Sequence, residues 1–171
     1  MEWIQHPFAP FWEGTPRVLI LGTLPSRASR AAGFYYGHPR NRFWPLMARL
    51  AGAEAPAPED ISGKKALLRA LDVALWDVAA GCEIAGSSDA SIRNVRANDL
   101  EPLLAARPAL RVCANGATAG RLYRLHCEPR TGRECLVLPS TSPANAAWTL
   151  PRLVEAWRAG IVVDNNKKFI V

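Results

Sequence analysis

The densest group of residues that could do chemistry lies at positions 33–44, in the segment GFYYGHPRNRFW. It combines aromatic side chains with two arginines, a histidine and an asparagine. Aromatic faces can stack on nucleobases, guanidinium groups bind phosphates, and an asparagine amide can hold a base edge or a water molecule. The segment therefore predicts contacts to a nucleic acid, with Tyr36 and Asn41 as the leading candidates.

Most of these residues also have a purely structural interpretation. Phe43 and Trp44 have the spacing of core residues at the start of a helix, and we assign them to the core. Asn41 could cap that helix, a role that is compatible with catalysis. Tyr36 could lie at the rim of the site, and His38 is predicted to be a structural hydrogen-bonding residue rather than a catalytic one.

Regular elements must position this segment, and the periodicity of the apolar residues predicts them. Short β-rich runs predict strands at 17–21, 72–78, 110–114 and 134–138. Amphipathic patterns predict helices at 43–50, from Asn98 or Asp99 to about 107, at 116–125, and at 147–159 with an apolar face of Leu150, Leu153, Val154 and Trp157. This alternation predicts an α/β fold, a three-layer α/β/α sandwich around a mainly parallel four-stranded central sheet.

In such a sheet the ligand site lies at the carboxyl ends of the strands, so the segments that follow them are candidate loops. They are 22–26 (GTLPS), 79–88 (AAGCEIAGSS), 115–119 (NGATA) and 139–146 (PSTSPANA). Asn115 could contact a base edge or be an ordinary turn residue in an Asn-Gly pair. Asp77, near the end of the second predicted strand, could be a site carboxylate or a cap, and we leave it outside the candidate set.

The length of 171 residues predicts a single domain, placed at 1–163, with one sizeable core. The tail at 164–171 (DNNKKFIV) predicts a poorly ordered segment or an edge strand. The N-terminal residues lack the basic start and apolar core of a signal peptide, and no apolar run is long enough to cross a bilayer. A cytoplasmic protein is therefore expected, in a bacterial-type cytosol or nucleoid and without membrane contact.

The net charge of +6 is compatible with a nucleic-acid partner, although it does not require one. No cysteine belongs to a CxxC pair, so reduced thiols are expected and no metal site is predicted. The four cysteines are Cys82, Cys113, Cys127 and Cys135.

Three segments in sequence order, each at a predicted strand end, point to a known family. GTLPS, YYGHPRNRFW and LPSTSPANA resemble motifs of the uracil-DNA glycosylase superfamily, and within it those of the DNA-deoxyinosine (hypoxanthine-DNA) glycosylase family. HPFAP at 6–10 and NGATA at 115–119 fit that family as well. The resemblance extends from His6 to about Ala159 and implies a uracil-DNA glycosylase-like fold.

The resemblance also implies which residues form the site. Better-known branches place a water-activating Asp or Asn in the first motif, where this chain has Leu24, and several place a catalytic His where it has Ser140. Leucine can neither accept a proton nor polarise water. The resemblance therefore implies that Asn41 is catalytic and that Tyr36 stacks on an extruded base. The predicted base-binding residues are Tyr36, Asn115, Gly22 and Thr23.

The loop at 139–146 is implied to enter the minor groove and to help hold the DNA bent. Ala144 stands where other branches have a larger wedge residue, so the wedge is expected to be weak or supplied elsewhere. The predicted DNA-binding residues of this loop are Ser140, Thr141, Ser142, Pro143, Ala144 and Asn145.

The implied activity is that of a monofunctional DNA glycosylase of base excision repair, with hypoxanthine preferred and uracil or xanthine also possible substrates. No lysine occurs in the motifs, which argues against a Schiff-base lyase, and no cofactor is implied. The expected partner is DNA that contains a deaminated base, and a monomer is expected. Room for a purine is predicted because residues 78–80 after the second strand carry no amide side chain and Ser26 is small.

Three alternatives stay open. The chain could be another uracil-type glycosylase of the superfamily. The Leu24 and Ser140 positions are also compatible with a module that binds damaged DNA with weak or no catalysis. An unrelated α/β hydrolase of small molecules is the third, and the absence of a GxSxG motif and of a Gly-rich phosphate loop argues against it.

Overall fold

The structure, a computed structural model, describes residues 1–86 and 88–161. Within them the strands are β1 (Glu2–Gln5), β2 (Val18–Gly22), β3 (Val73–Asp77), β4 (Ala79–Ile84), β5 (Arg93–Ala97), β6 (Arg111–Asn115) and β7 (Leu136–Leu138). The helices are α1 (Arg27–Ala32), α2 (Phe43–Ala51), α3 (Ile61–Ala70), α4 (Glu101–Ala105), α5 (Ala117–His126), α6 (Glu128–Thr131) and α7 (Leu150–Ile161). The tail predicted at 164–171 lies outside the described residues.

The central sheet has the strand order β3-β2-β6-β7, and every neighbouring pair is parallel. Val18 pairs with Val73 on one side and with Arg111 on the other, so β2, β3 and β6 run in step. Every residue of β2 is buried, as expected of a central strand in a parallel sheet that is covered on both faces. The predicted α/β fold and its four-stranded parallel sheet are confirmed.

Alternate residues of β2 point to opposite layers, and this alternation explains the three-layer arrangement. Val18 and Ile20 pack into one core with side chains from α2, α3 and α7, among them Trp157. Leu19 and Leu21 pack into a second core with side chains from α4, α5, β1 and β4. The second outer layer therefore combines helices with a small additional sheet.

That additional sheet has the order β1-β4-β5 and is antiparallel. The prediction that residues 79–88 form a loop is wrong for Ala79–Ile84, which form β4, and Gly81–Ile84 pair with Glu2–Gln5. A Cβ at Gly81 would lie 2.6 Å from the Trp3 ring, so the two strands approach closely at this glycine. The local sequence did not indicate a strand because it lacks β-branched side chains over most of its length, and the pairing partner lies far away in the chain.

Several helix boundaries differ from the sequence-based prediction. The prediction that Asn98 or Asp99 is the N-cap of α4 is wrong, because Leu100 occupies the cap position and the helix begins at Glu101. The Asp99 carboxylate nevertheless accepts a hydrogen bond from the Glu101 N–H, at 3.3 Å. On the final helix, α7, Leu153 and Trp157 are buried as predicted, and the other two residues of the predicted face are half-buried.

Helices α1 and α3 were not predicted from the sequence. In α3 the Asp60 side chain caps the first turn by accepting from the Gly63 N–H at 2.8 Å. Glycine inside a helix costs about 1 kcal/mol relative to alanine, which weakens the local helical signal. None of the helices in the described residues is long and apolar enough to span a membrane.

Candidate active site

A cavity of about 670 Å³ opens at the carboxyl ends of the central strands. This is the edge of the sheet at which the sequence placed the ligand site. All the predicted site residues except Asn145 line it, which brings together four segments that are far apart in the chain. The predicted residues in its wall are Gly22, Thr23, Tyr36, Asn41, Asn115, Ser140, Thr141, Ser142, Pro143 and Ala144.

Asn41 and Asn115 approach the cavity from different elements and meet at Thr141. The Thr141 hydroxyl lies 2.8 Å from Asn41 Oδ1 and 3.0 Å from Asn115 Nδ2. Asn115 Oδ1 accepts a further hydrogen bond from the Thr141 backbone N–H, at 3.0 Å. The side-chain oxygen of Asn41 also accepts from the Phe43 N–H at 3.0 Å, so Asn41 supports the start of α2 while lining the cavity.

Asp77 forms part of the cavity wall beside Gly22, on the neighbouring strand. A Cβ at position 22 would lie 2.3 Å from Asp77 Oδ1, so only glycine allows the carboxyl group to occupy this place. The other oxygen, Oδ2, accepts from His6 Nε2 at 2.7 Å. Burial raises the pKa of Asp77, and the hydrogen bond with His6 opposes part of that rise.

The proton position on His6 follows from its second hydrogen bond. His6 Nδ1 lies 3.1 Å from the Phe8 backbone N–H, which can only donate. Nδ1 is therefore the unprotonated nitrogen of the neutral ring, and Nε2–H donates to Asp77. The HPFAP segment thus holds Asp77, a residue of the cavity wall, through His6.

Tyr36 lies between the core and the cavity. Its ring stacks on Phe43 with a centroid separation of 3.9 Å, so one of its two faces is covered by protein. Its hydroxyl lies 3.2 Å from the position that a Gly22 Cβ would occupy, on the same side as Asp77 Oδ1. Burial and the Asp77 carboxyl raise the pKa of Tyr36, and the nearby Asn115 amide opposes them.

The Tyr36 hydroxyl is buried and makes no hydrogen bond of normal geometry to any residue in the described part of the chain. The residue also has a positive φ of 54°, which is uncommon for a side chain of this size. A buried polar atom without a partner and a strained backbone are both features that concentrate at ligand sites. Together they favour direct contact between Tyr36 and a bound molecule.

Arg42 holds the loop at 139–149 by its backbone. Its guanidinium donates to the backbone carbonyl oxygens of Thr141, Ser142, Asn145 and Trp148. The Nε–Thr141 distance is 3.3 Å, and Nη2 lies 2.8 Å from the Ser142 oxygen and 3.0 Å from the Asn145 oxygen. Its own backbone N–H donates to Thr141 as well, at 3.1 Å. With its donors directed inward, Arg42 positions the loop and is not free to bind phosphate.

Two residues of the predicted DNA-binding loop have structural roles. Thr141 is fully buried, so it supports the site from inside rather than facing DNA. Asn145 lies outside the cavity wall and donates from Nδ2 to the Ser140 carbonyl at 3.0 Å. Ser142 and Pro143 are partly exposed and Ala144 is exposed, so these three present the outer surface of the loop.

The turn at Asp89–Ser91 contributes Asp89 and Ala90 to the cavity wall. Burial and the charge of Asp77 raise the pKa of Asp89, and a hydrogen bond with Thr23 lowers it. Two carboxyl groups, those of Asp77 and Asp89, therefore lie in the cavity wall together with the amides of Asn41 and Asn115.

The sequence-based candidate set missed Asp77, His6 and Arg42. Asp77 was considered and left out, although its place at the end of β3 was a usable signal. The HPFAP motif named His6 without a role, and Arg42 was counted with the phosphate-binding arginines. The prediction for His38 fits the structure, since its Nδ1 accepts from the Arg40 N–H at 3.1 Å.

Comparisons with known proteins point to the same superfamily as the sequence motifs. The family description "Uracil DNA glycosylase superfamily" matches residues 10–159. This chain belongs to the uracil DNA glycosylase superfamily. A protein of Methanosarcina acetivorans named hypoxanthine DNA glycosylase is 35% identical over 159 residues, which are 91% of this chain and 97% of that protein. A protein of the same name from Methanosarcina barkeri is 32% identical over 145 residues, 82% of this chain and 88% of its own length.

A solved structure agrees with this assignment to the uracil DNA glycosylase superfamily. The solution NMR structure of a Methanosarcina acetivorans protein described as a uracil DNA glycosylase has a TM-score of 0.73 to this chain at 34% identity. The match covers 91% of this chain and 94% of that one. The family and the fold predicted from the three motifs are thereby confirmed.

The structure shows what occupies the two positions, Leu24 and Ser140, at which the sequence resemblance implied a missing catalytic group. Leu24 lines the cavity and packs against the second core, so it supplies shape and no polar contact. The Ser140 hydroxyl accepts from the Ser142 N–H at 3.2 Å, which uses it to shape the loop. Among the described residues, no group of three or more His, Cys, Asp or Glu side chains could hold a metal ion.

Proposed function

We propose that this protein is a monofunctional DNA glycosylase that hydrolyses the N-glycosidic bond of hypoxanthine in DNA. The observation that carries the proposal is the cavity at the strand ends, where Asn41, Asn115, Tyr36 and Asp77 meet. Its volume of about 670 Å³ lies within the range of about 300–1,000 Å³ that small-molecule sites occupy. A base that is stacked in a duplex cannot enter such a cavity, so its nucleotide must first leave the stack.

The polar groups of the cavity complement the edge of hypoxanthine. Hypoxanthine offers N1–H as a donor and O6 and N7 as acceptors. Asp77 Oδ1 is a free acceptor among the described residues, while Tyr36 and the two asparagine amides offer donors. The names of the two Methanosarcina relatives, both hypoxanthine DNA glycosylases, support this choice of base.

The cavity suits hydrolysis without a covalent intermediate. N-glycosidic cleavage passes through an oxocarbenium-like sugar, and the departing base carries negative charge. Fixed hydrogen-bond donors near that charge contribute more than a strong base would. None of the described residues in the cavity wall is a lysine, so a Schiff base with the sugar has no amine to form it.

The position of the loop at 139–146 in the cavity wall supports the proposal that DNA lies over the cavity. Its outer residues, Pro143 and Ala144, are the ones available to enter a groove. We further propose that the protein acts as a monomer in the cytoplasm, on DNA that carries a deaminated base.

A base-release assay tests the proposed function. Matched duplexes and single strands would each carry one hypoxanthine, uracil or xanthine, and the released base would be measured over time under single-turnover conditions. Hypoxanthine is expected to be released fastest. Faster release of uracil would overturn the base preference and leave the glycosylase assignment in place.

The same assay separates the two remaining alternatives. Tight binding to inosine-containing DNA without base release would identify a binding module. Neither binding nor release on any strand would favour a small-molecule hydrolase.

A further inference from the structure

Thr141 is fully buried in a loop whose neighbouring residues are partly exposed. Among the described residues, its hydroxyl and its backbone N–H bond only to the two cavity asparagines. Its backbone carbonyl accepts from Arg42, so its position is set independently of the asparagines. A buried residue of this kind organises its neighbours.

Two backbone N–H groups determine the orientation of both amides. The Phe43 N–H donates to Asn41 at 3.0 Å, so the accepting atom must be the side-chain oxygen. The Thr141 N–H donates to Asn115 at 3.0 Å, which identifies the oxygen of that amide in the same way. Because a backbone N–H can only donate, neither amide can be turned over without losing a hydrogen bond.

The direction of the hydroxyl follows from these two orientations. Asn115 Nδ2 can only donate, so it donates to Thr141 Oγ1 at 3.0 Å. The hydroxyl then donates its proton to Asn41 Oδ1 at 2.8 Å. We call this chain, from Asn115 Nδ2 through Thr141 Oγ1 to Asn41 Oδ1, the Thr141 relay.

The Thr141 relay leaves each amide with a donor for the cavity. Asn41 Oδ1 already accepts two hydrogen bonds, the number that its lone pairs allow. Asn41 Nδ2 has no partner among the described residues. Asn115 Nδ2 uses one N–H in the relay, and the Asn115 amide also interacts with the hydroxyl of Tyr36, a residue that lines the same cavity.

We propose that Thr141 is a positioning residue that makes Asn41 and Asn115 act on the bound nucleotide as hydrogen-bond donors, through Nδ2. The identity of the nucleotide rests on the proposed function. The donors stabilise the negative charge that develops on the departing base, and Asn41 does not take a proton from water. The cleaved C1′–N9 bond leaves its electron pair on the base, and water supplies the hydroxyl of the sugar and a proton.

The first test compares Thr141→Val with Thr141→Ser on an inosine-containing duplex at saturating enzyme. Valine keeps the shape and removes the hydroxyl, so the single-turnover rate is expected to fall about tenfold to a hundredfold. Serine keeps the hydroxyl and should stay within about threefold of the wild type. Affinity for undamaged duplex should be unchanged in both, because Arg42 still holds the loop.

A double-mutant cycle asks whether Thr141 acts through Asn41. Thr141→Val should cost less in the Asn41→Ala background than in the wild type, because only its effect through Asn115 remains there. Full additivity of the two losses, a wild-type rate for Thr141→Val, or equal damage from Thr141→Ser would each overturn the proposal.

Asn41→Asp tests the donor role itself. One carboxylate oxygen can still accept from Phe43 and Thr141, while the other replaces the Nδ2 donor with a negative charge. If Asn41 donates to the departing base, Asn41→Asp is expected to be at least as inactive as Asn41→Ala. If Asn41 instead accepts a proton from water, Asn41→Asp would retain activity or gain it as pH rises through the carboxyl pKa, and the donor role is then wrong.

A measurement without substrate keeps this proposal separate from the proposed function. In ¹⁵N-labelled protein, the side-chain amide resonances of Asn41 and Asn115 are expected to shift in Thr141→Val and to stay close to wild type in Thr141→Ser. Unshifted resonances in Thr141→Val would remove the Thr141 relay. If the wild type releases no hypoxanthine but these resonances shift as expected, the proposed substrate fails and the relay stands.

Discussion

His6 Nε2 donates a hydrogen bond of 2.7 Å to Asp77 Oδ2, across 71 positions of the chain. The side chains are 2% and 5% exposed, so the pair is shielded from solvent although Asp77 also lines the cavity. This hydrogen bond thus joins the N-terminal segment to the end of β3 at the cavity wall. A buried carboxyl group at this place is expected to affect stability and, under the proposed function, base contact.

Asp77→Asn should change the pH dependence of stability. The folded-state pKa of Asp77 is raised by burial above its ordinary value of 3.8, so the unfolded chain loses this proton first as pH rises. Wild-type stability therefore falls as pH rises from the unfolded-state pKa to the folded-state pKa of Asp77. The loss is about 1.4 kcal/mol for each unit by which burial raises that pKa. Asparagine does not titrate and can still accept from His6.

We expect the free energy of unfolding of Asp77→Asn, relative to wild type, to increase between about pH 4 and pH 7. Urea denaturation at several pH values measures this difference. Asp99→Asn, at a carboxylate that is 59% exposed and outside the cavity wall, is the control for replacing a carboxyl group by an amide. A difference that shrinks as pH rises would contradict the raised pKa of Asp77.

Two neighbouring tyrosines should respond to phenylalanine in opposite directions. The Tyr36 hydroxyl is buried without a hydrogen bond among the described residues, so Tyr36→Phe should increase stability by about 1 kcal/mol. The Tyr35 hydroxyl donates to the Ala9 carbonyl at 2.9 Å, so Tyr35→Phe should lose about as much. Urea midpoints compare the two variants.

The same pair separates stability from base contact. Hypoxanthine release should be slower in Tyr36→Phe if its hydroxyl meets the base, whereas Tyr35→Phe should keep a wild-type rate. Truncation to Tyr36→Ala also removes the ring and should cost about tenfold to a hundredfold, because base stacking contributes roughly 1–3 kcal/mol. A wild-type rate for both Tyr36 variants would place Tyr36 outside the base contacts.

Arg42 and Arg40 should differ in their tolerance of lysine. Arg42 donates to four backbone carbonyls, a pattern that a single ammonium group cannot reproduce, so Arg42→Lys should weaken DNA binding nearly as much as Arg42→Met. Arg40 is exposed at the cavity, where a phosphate would need only positive charge. Arg40→Lys should retain binding that Arg40→Met loses.

Fluorescence anisotropy with a labelled duplex measures these four affinities. If Arg42→Lys binds as well as wild type, the arginine is acting through its charge and not through the loop. A wild-type affinity for Arg40→Met would exclude a phosphate contact at that position.

Binding to undamaged duplex should weaken steeply as salt rises. Each phosphate that is neutralised releases counterions, which gives a slope of about −0.9 per contact in a plot of log affinity against log salt. The net charge of +6 and the exposed outer surface of the loop at 139–146 motivate this expectation. Affinity that is flat between low and physiological salt would point to a small-molecule substrate.

The local sequence determined the elements whose signal is local. The four apolar runs of the central sheet and the helix at 43–51 were predictable because a buried parallel strand and an amphipathic helix each carry their own periodicity. Asn41 and Asn115 could be named as site residues because each follows or borders such an element. The superfamily motifs were recognisable for the same reason, since each is a short continuous segment.

Only the tertiary structure decided how those residues work together. Strand β4 exists because Glu2–Gln5 returns to pair with it, and no local pattern contains that partner. The roles of Asp77 and Arg42 depend on His6 and on the loop at 139–149, which lie far away in the chain. The Asn41 side chain is likewise held by the hydroxyl of Thr141, which is 100 positions distant, because hydrogen bonds depend on proximity in space and not in sequence.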